Sequence, residues 1–516
     1  MTSNLNYLSK FGYVLRKENL NETEIRDIKK ELTARPLTDS KFVTQNDTNF
    51  PIYIETKNKM YVPKMYGIEK FGVPEYVLDN YKGKMWDQPF EFKGQLLDHQ
   101  KDPVSKLIEA CQTKGGGILS LMTGGGKTFC GIYALSILKG KAIIVVNKVT
   151  LLKQWESEIN KFLPDARVGI IQGQNTMDVS DKDIVIAMLQ SLSRIDYPDS
   201  LFSDFAVTLI DEIHNTSSRT FSKVFFKLCS QYTIGLSATP TRADGCEYVF
   251  KWHIGDVVYK SLSERKGKAP IIRLLKIDSD DYKEVATVNR FTGQKQIQFT
   301  SMLSELVEME TRNKLIIEII KQNIRESRKI LVLSERRSHL LKLHKILEMD
   351  PDITFTYGLF LGGMKILELE QAKACNVILA TIAAFGEGVS ERDLDTLILT
   401  TPKKFIGHLS NSTKNESGKL EQLIGRIFRK EHTTLEPLII DLQDNFSVYK
   451  SQSNGRNNFY KTHFKASIIE SQYINLSDFT SETITAKSIV VKRTKKTEEP
   501  KAIDEANLIT KFCMLE

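Results

Sequence analysis

The sequence lacks the cysteine spacings that would indicate a disulfide framework or a structural zinc site. Its 516 residues include six cysteines, which are scattered and form neither a Cys-x-x-Cys pair nor a Cys/His cluster. Disulfide-rich and zinc-binding modules depend on such spacings. The cysteine usage therefore argues against both classes and is typical of a protein from a reducing compartment.

Long apolar segments are absent as well. No apolar run approaches the roughly 18 residues that a membrane-spanning helix needs. The first 20 residues carry charges throughout and have no apolar core, unlike a secretory signal peptide. We therefore expect no membrane partner, and a protein that is cytoplasmic or nuclear rather than secreted.

The composition is that of a soluble globular protein, with 41% hydrophobic and 26% charged residues. A chain of 516 residues is too long for one core and predicts three or four domains. The net charge of +8 fits a nucleic-acid partner but does not establish one, because 72 basic and 64 acidic residues largely cancel.

The most informative stretch is a glycine-rich loop between an apolar run at 117–120 and a helical pattern at 129–138. It comprises Leu121, Met122, Thr123, Gly124, Gly125, Gly126, Lys127 and Thr128. Strand, glycine loop, Lys-Thr and helix form the context of a phosphate-binding loop. Backbone N–H groups and the helix N-terminus would face the phosphates of ATP. Lys127 would reach the β- and γ-phosphates, and the Thr128 hydroxyl would ligate Mg²⁺.

Leu121 stands where the strict phosphate-loop pattern has glycine. Taken alone, the loop is therefore also compatible with a glycine-rich turn between a buried strand and a helix. The rest of the chain decides between these interpretations.

Continuous apolar strands alternate with helical patterns after this loop, which predicts βαβ units and a doubly wound parallel sheet. The strand at 205–210 runs into Asp211, Glu212, Ile213 and His214. Beside a phosphate loop, Asp211 can hold Mg²⁺ and Glu212 can deprotonate the attacking water. A solvated acidic turn is the alternative, and the presence of the phosphate loop favours the catalytic interpretation.

A second block of strands and helices begins near residue 329, with strands at 329–334, 376–381 and 395–400. It has no phosphate loop or Asp-Glu pair of its own. It carries Gln422, Arg426 and Arg429 on a predicted helix, where the spacing of three places both arginines on one face. That geometry suits arginine fingers on a phosphate chain held by the other domain, although an exposed basic helix face is the commoner use of such spacing.

The ends of the chain are less informative. The cluster at 61–67 combines aromatic residues with a lysine and is either a turn or a DNA-contacting surface, and we favour the turn. The basic run at 492–496 is a localisation-like or nucleic-acid-binding segment or a solvated tail, and we favour the tail. We predict an accessory domain over 1–85, α/β domains over 86–260 and 313–470, a linker with a small insertion over 261–312, and a polar tail over 471–516.

The order of the motifs resembles that of a superfamily 2 DExH helicase across roughly 95–445. The matching segments are Gln100 for the adenine-reading glutamine, 123–128 for motif I, 211–214 for the DExH box, 237–239 for motif III, Thr381 with 386–389 for motif V and 422–429 for motif VI.

The segment 235–240, followed by Arg242 and Asp244, is similar to the XPB/UvsW-like branch of this superfamily. The middle acid of the Arg-Glu-Asp triplet of XPB is missing. Asn147, where many relatives have proline, resembles the transcript-release DNA helicases of large cytoplasmic DNA viruses, and so do the chain length and the cluster at 61–67. A viral protein of this kind would act in the viral factory or the virion.

The resemblance implies two tandem RecA-like doubly wound parallel-sheet domains with a small N-terminal α+β domain. It implies ATP and Mg²⁺ as cofactors, with Gln100 and 123–128 on the nucleotide, Thr128 and Asp211 on the metal, and Glu212 as general base. The same resemblance gives Arg426, Arg429 and Gln422 to the catalytic site from the second domain. It makes His214, Ser237 and Thr239 coupling residues, and it places Thr150, Gln154, Gln190 and Thr381 along a nucleic-acid strand.

Contacts with that strand should be mostly to phosphate, so binding should be salt-sensitive. We expect an ATP-dependent helicase or translocase that acts on DNA in transcription, repair or recombination, with transcription machinery as a possible partner. The sequence does not give the oligomeric state, and a monomer is plausible. Competing interpretations are an RNA helicase, a nucleic-acid-binding scaffold without ATPase activity, and the motor subunit of a restriction-type complex. The intact Lys127, Asp211 and Glu212 argue against the scaffold, and no nuclease-like or methyltransferase-like segment supports the last.

Overall fold

A computed structural model describes most of the chain. The described residues are 6–37, 48–74, 76–122, 124–242, 244–261, 269–288, 293, 295–385, 393–403, 420, 423–428, 435–464, 467–479 and 490–493. They form one five-stranded sheet and two eight-stranded sheets, with two small two-stranded ribbons. Among these residues, none of the helices combines the length and the apolar character that crossing a membrane requires.

The N-terminal sheet has the strand order β5-β6-β2-β1-β7. The elements of this region are β1 Tyr7–Ser9, β2 Gly12–Arg16, α1 Glu22–Glu31, β3 Thr33–Ala34, β4 Phe50–Pro51, β5 Ile54–Glu55, β6 Lys59–Val62, α2 Lys64–Phe71, β7 Tyr76–Val77 and α3 Asp79–Lys82. Its core contains Tyr13, Leu15, Met60 and Val62, all 1% exposed or less. The region is therefore a small α+β unit, and its core cluster also includes Cys229 of the first large domain.

Residues 61–67 do not form the favoured turn, and contact of this segment with DNA stays a prediction. They pass from the end of β6 directly into α2, which begins after Pro63. Gly67 lies inside this helix. A larger residue would not fit at this position, because a Cβ would stand 2.2 Å from Cγ of Tyr13. The glycine thus permits close packing of the helix on the sheet, whereas from sequence it looked like a turn signal.

Two buried lysines of the N-terminal unit form hydrogen bonds with the first large domain. Lys64 is 1% exposed and Lys10 is 4% exposed. Lys64 Nζ donates to the carbonyl oxygens of Gly115 (2.9 Å) and Ser230 (3.0 Å), and Lys10 Nζ donates to the carbonyl oxygen of Phe205 (2.5 Å). Burial lowers the pKa of Lys10 to about 8 and also lowers that of Lys64.

This burial predicts a stability that rises in mild alkali. At a pH between about 8 and 10.5 the unfolded chain still holds the Lys10 proton that the folded chain has lost, so stability increases with pH. We expect the free energy of unfolding to grow by about 2 kcal/mol between about pH 7.5 and 9.5. Urea titrations that follow the exposure of β1 and β2 by hydrogen exchange would measure this change.

The matched variants are Lys10→Met, which should lose most of the gain, and Lys82→Met, which removes an exposed lysine of the same unit and should keep it. An equal gain in the Lys10→Met protein would contradict the assignment.

The first eight-stranded sheet has the order β11-β10-β12-β9-β13-β14-β8-β15, and only β11 runs antiparallel to its neighbour. Its elements are α4 Asp98–Lys114, β8 Gly116–Ser120, α5 Lys127–Leu138, β9 Ala142–Val146, α6 Val149–Phe162, β10 Val168–Gln172, β11 Thr176–Met177, β12 Ile184–Met188, α7 Leu189–Arg194, β13 Val207–Asp211, β14 Tyr232–Ser237, α8 Glu247–Ile254 and β15 Val257–Lys260. Short 3₁₀ helices span Asp199–Phe202, Ile213–Asn215 and Phe221–Phe226. Strands β8, β9, β12 and β13 are buried along their whole length, as their continuous apolar runs predicted.

The second eight-stranded sheet has the order β20-β21-β19-β22-β23-β16-β24-β25, with β25 antiparallel to β24 and the other pairs parallel. Its region contains β16 Ile271–Asp278, β17 Ala286–Val288, β18 Lys295–Ile297, α9 Phe299–Glu308, α10 Glu310–Arg325, β19 Ile330–Ser334, α11 Arg337–Met349, β20 Tyr357–Phe360, α12 Ile366–Ala374, β21 Val377–Thr381, α13 Ile382–Phe385, β22 Thr396–Leu399, β23 Leu438–Asp444, α14 Ser447–His463, β24 Ile468–Asn475 and β25 Val490–Arg493. A fold of tandem doubly wound parallel sheets is therefore confirmed.

The structure corrects two segments of the expected domain plan. The stretch 261–312 was expected to be a linker with an insertion, but β16 pairs along its length with β23 and β24 inside the second sheet. The tail was expected from 471, yet 471–475 belong to β24. Both strands carry polar side chains between apolar ones, so they lack the continuous apolar run by which the other parallel strands were recognised.

Candidate functional site

The glycine loop lies between β8 and α5, and its backbone depends on glycine. Gly124 and Gly126 have φ of +87° and +80°, in the left-handed region that favours glycine. A Cβ at Gly126 would also stand 2.2 Å from Nε2 of Gln100. Helix α5 begins at Lys127, so its unpaired N–H groups open onto the loop. Thr123 lies outside the described residues.

Gln100 contacts the loop from α4. It is 5% exposed, its Oε1 accepts from the Leu97 backbone N–H (3.1 Å), and its Nε2 donates to the Gly125 carbonyl oxygen (3.5 Å). The structure therefore brings Gln100 to the phosphate loop. Its contact with an adenine edge stays a prediction.

Asp211 ends β13 and is held by two donors. Its Oδ1 accepts from the Glu212 backbone N–H (2.9 Å), and its Oδ2 accepts from Nε1 of Trp155 (2.9 Å). Burial, and then the neighbouring charge of Glu212, raise the pKa of Asp211 to about 6, although the Trp155 hydrogen bond and Lys127 lower it. A buried carboxylate of this kind favours a cation beside it.

Glu212 has a strained backbone and an incompletely bonded side chain. Its φ of +46° is unusual for a residue with a side chain and is a feature of functional sites. Oε1 lies 3.9 Å from Lys127 Nζ, and Oε2 lies 3.5 Å from His214 Nδ1. Within the described part of the chain, Oε2 is buried and accepts no hydrogen bond. Such an oxygen is suited to accept a proton from a water molecule.

His214, Ser237 and Thr239 form a chain of hydrogen bonds. His214 Nδ1 lies 3.2 Å from Ser237 Oγ, which accepts from the Thr239 backbone N–H (3.1 Å). Arg242 donates to the His214 carbonyl oxygen and pairs with Asp244 through Nε and Oδ1 at 2.8 Å. The residues expected to couple the acid pair to moving parts are thus in contact, and their coupling role stays a prediction.

These residues fit an ATP molecule that arrives with its own Mg²⁺. The glycine cradle and the N-terminus of α5 suit phosphates, and Lys127 Nζ stands between the loop and the acid pair, 3.4 Å from the Leu121 carbonyl oxygen and 3.9 Å from Glu212 Oε1. Among the described residues no cluster of three or more His, Cys, Asp or Glu side chains could hold a metal alone. Mg²⁺ typically binds one or two protein groups together with phosphate oxygens, which matches the pair Thr128 and Asp211.

Of the two expected arginine fingers, only Arg426 lies among the described residues. Arg426 is 3% exposed and belongs to a 3₁₀ helix at Gly425–Phe428, within the stretch predicted to be helical. Ile427 is 0% exposed, as its apolar character predicted. Gln422, Arg429 and the motif V stretch 386–389 lie outside the described residues. The shared helical face of Arg426 and Arg429 stays a prediction.

A groove of about 920 Å³ separates the two large sheets. Thr150 and Gln154 line it from α6, and Thr381 lines it from the end of β21. Lys148 Nζ crosses between the domains to the Ala383 carbonyl oxygen (3.0 Å). The structure therefore brings together three of the four residues expected along the strand.

Gln190 is not among the residues that line this groove. It lies on α7, and its Nε2 donates to the Asn147 carbonyl oxygen (2.8 Å), which fixes the backbone just before α6. The groove also has an apolar lining that was not predicted from the sequence, formed by Phe360, Leu361, Met364 and Ile366. The Gly362-Gly363 pair directly after an apolar run was the available signal for a loop there.

Comparisons with known proteins agree with this geometry. A family model described as "Type III restriction enzyme, res subunit" matches residues 93–242. The chain is 31% identical over 460 residues to "Putative ATP-dependent RNA helicase L396" of Acanthamoeba polyphaga mimivirus, covering 88% of this chain and 85% of that protein. It is 26% identical over 394 residues to "Putative helicase 161L" of Invertebrate iridescent virus 6, covering 72% of this chain and 82% of that protein.

Among solved structures, the fold is similar to the ATP-dependent Type ISP restriction-modification enzyme LlaBIII bound to DNA, with a TM-score of 0.52 and 14% identity. That match covers 76% of this chain and 32% of the other chain. Sequence and fold lead to one conclusion: the chain belongs to the superfamily 2 ATP-dependent helicases and is similar to those of large DNA viruses.

Proposed function

We propose that this helicase hydrolyses ATP between its two large domains and uses the resulting closure to move along DNA. The observation that carries the proposal is the contact set of Lys127, Asp211 and Glu212 at the carboxyl ends of β8 and β13. In this proposal Lys127 holds the terminal phosphates, Thr128 and Asp211 hold Mg²⁺, and Glu212 removes the proton of the attacking water. The bound Mg²⁺ would supply charge stabilisation at the phosphates.

The second domain completes the site in this proposal. Arg426, with Arg429 and Gln422, would stabilise the charge that develops on the γ-phosphate. Because these residues belong to the second domain and the phosphate loop belongs to the first, hydrolysis would depend on the closed arrangement of the two domains. His214, Ser237 and Thr239 would then pass the state of the acid pair to the groove, because they already form a continuous hydrogen-bond chain.

The groove between the domains is the proposed path of one nucleic-acid strand. Thr150, Gln154 and Thr381 supply small polar contacts that suit a sugar–phosphate backbone, and Gln190 supports α6 from behind. The lining also contains the lysines 148, 153 and 373 and the carboxylates of Glu158 and Glu370. Because these charges partly cancel, we expect a weaker salt dependence than a purely basic groove would give.

DNA is favoured over RNA as the substrate because of the segment from Ser237 to Asp244. Its resemblance to the XPB/UvsW-like branch includes Arg242 and Asp244, which pair with each other, and Arg242 also donates to the His214 carbonyl oxygen of the DExH box. A role in viral transcript release, with transcription machinery as partner, follows from the same resemblance. An RNA substrate is the second candidate, because the mimivirus relative bears the name of an RNA helicase.

ATP hydrolysis measured side by side with single- and double-stranded DNA and RNA of matched sequence tests the proposal. We expect stimulation by DNA, and the Lys127→Ala protein should lose hydrolysis by about 10²–10³-fold because a preorganised positive charge is removed from the phosphates. Stimulation by RNA alone would replace DNA with the second candidate. Unchanged hydrolysis in the Lys127→Ala protein would overturn the site itself.

A further inference from the structure

Trp155 links two parts of the molecule that the proposed function treats separately. It lies on α6, is 0% exposed, and donates its indole N–H to Asp211 Oδ2 at 2.9 Å. Its ring also packs against α5, since a Cβ at Gly131 would stand 3.0 Å from its Cη2. The tryptophan therefore contacts both the proposed metal ligand and the helix that follows the phosphate loop.

The same helix forms one wall of the groove. Thr150 and Gln154 line the groove, whereas Leu152, Trp155 and Ile159 form the buried face of α6. Gln154 and Trp155 are adjacent in sequence, so a contact at the groove and the hydrogen bond to Asp211 are one residue apart on a single helix.

The helix is also tied to the second domain. Lys148 is the residue directly before α6, and its Nζ donates to the Ala383 carbonyl oxygen across the groove. A change in the separation of the domains, or a strand that enters the groove, therefore acts on α6 directly.

The hydrogen bond from Trp155 limits how Asp211 can orient. Each carboxylate oxygen accepts one donor, Oδ1 from the Glu212 backbone and Oδ2 from the indole. Charge-assisted hydrogen bonds are short and directional. A group that donates such a bond to a metal-binding side chain therefore fixes the orientation of that side chain. The remaining lone pairs of both oxygens are left for water or a cation.

We propose that Trp155 is a positioning residue that makes the orientation of Asp211 depend on occupancy of the groove. A nucleic-acid strand against Thr150 and Gln154 displaces α6, and the indole carries that displacement to the carboxylate. The inference rests on the proposed function, in which Asp211 binds Mg²⁺ with ATP and the groove binds nucleic acid.

Fluorine NMR of the full-length protein labelled with 5-fluorotryptophan tests this directly. The chain has three tryptophans, so Trp86 and Trp252 serve as internal controls. We expect the Trp155 signal to shift when oligodeoxythymidylate, or oligouridylate in a parallel sample, is added without nucleotide, and to shift again with Mg²⁺ and ADP. A Trp155 signal that moves with neither addition, or no more than those of Trp86 and Trp252, would overturn the proposal.

The Trp155→Phe variant provides the second measurement. It removes the N–H and keeps an aromatic ring. The Mg²⁺ concentration for half-maximal binding of a fluorescent ADP should rise about 10-fold or more, as for other groups that orient a metal ligand. Stimulation of ATP hydrolysis by nucleic acid should fall towards none, while the affinity for nucleic acid without nucleotide stays unchanged.

The matched control is Trp86→Phe, which also removes a buried indole donor, here to the Asp183 carbonyl oxygen at 3.3 Å. This control should leave Mg²⁺ dependence and stimulation unchanged; equal losses in both variants would show a general packing effect and overturn the proposal. If Trp155→Phe does not fold, the fluorine spectra decide alone. Failure of the proposed function would appear as unchanged hydrolysis in the Lys127→Ala protein, whereas failure of this inference alone would appear as a Trp155 signal that does not shift in a protein whose hydrolysis depends on Lys127.

Discussion

Replacement of Glu212 by glutamine is expected to lower kcat for ATP hydrolysis by about 10²–10⁴-fold, the usual contribution of a general base. The side chain keeps its size and its position between Lys127 and His214, so nucleotide binding should persist. The reason for the loss is chemical: Glu212 Oε2 is buried and accepts no hydrogen bond from the described residues, whereas the amide of glutamine cannot take up a proton. Single-turnover hydrolysis and binding of a fluorescent nucleotide, measured on the same protein, separate the two effects.

Glu247→Gln is the matched control for this experiment. Glu247 begins α8 in the same domain and also has one buried carboxylate oxygen without a hydrogen-bond partner among the described residues. It is not part of the contact set around Lys127. We expect it to hydrolyse ATP at the natural rate. A Glu212→Gln protein that retains hydrolysis within about 10-fold of the natural enzyme would remove Glu212 from the role of general base.

The parallel strands, and the placement of the acid pair beside the glycine loop, could be predicted because their signals are local. Strands buried on both faces need nearly continuous apolar runs; 142–146 shows such a run without interruption, and Thr208 alone interrupts the run at 207–210. The phosphate loop is equally local, because Gly124 and Gly126 need positive φ and Lys127 must follow at once. Since the carboxyl ends of neighbouring parallel strands share one edge, Asp211 and Glu212 could be placed beside the loop from sequence.

Features that depend on tertiary contacts could not be predicted. Gly67 is explained by the ring of Tyr13, which lies more than fifty residues earlier in the chain. Trp155 appeared only as part of a helical pattern, and nothing local indicates that its N–H meets Asp211. The place of Gln190 behind Asn147, rather than along the groove, likewise follows from how α7 packs after β12.

The stretch expected to be a linker was also mispredicted because its structure depends on tertiary contacts. Arg273 and Lys276 interrupt the apolar residues of β16, and a basic segment precedes the strand, so the stretch resembled a connection between domains. Its role in the core becomes visible only from its partners. Tyr282, shortly after β16, donates to Asp444 Oδ1 at 2.7 Å, and Arg312, the last residue of the expected linker, pairs with the same carboxylate.

The Arg312–Asp444 pair supports the prediction with the largest expected effect on stability. Both side chains are 0% exposed, and they form parallel bonds, Nε to Oδ1 and Nη2 to Oδ2, each of 2.8 Å. Arg312 Nη2 also donates to the Thr400 carbonyl oxygen at 2.7 Å. Removing one partner leaves a buried charge without compensation, so Arg312→Met or Asp444→Leu should each destabilise the second domain by about 3–5 kcal/mol.

The double variant Arg312→Met/Asp444→Leu distinguishes a buried charge from lost packing. Because it removes both charges together, we expect it to be less destabilised than the sum of the two single variants, by a coupling of about 0.5–3 kcal/mol. Hydrogen exchange of the β16 and β23 amides, read by mass spectrometry in the full-length chain, reports this domain separately from the first. Glu308→Gln is the control, since Glu308 pairs with Lys342 at 2.8 Å on the surface of the same domain and should change stability by less than about 1 kcal/mol. Strictly additive losses in the double variant would mean that packing, and not the ion pair, holds α10 against β23.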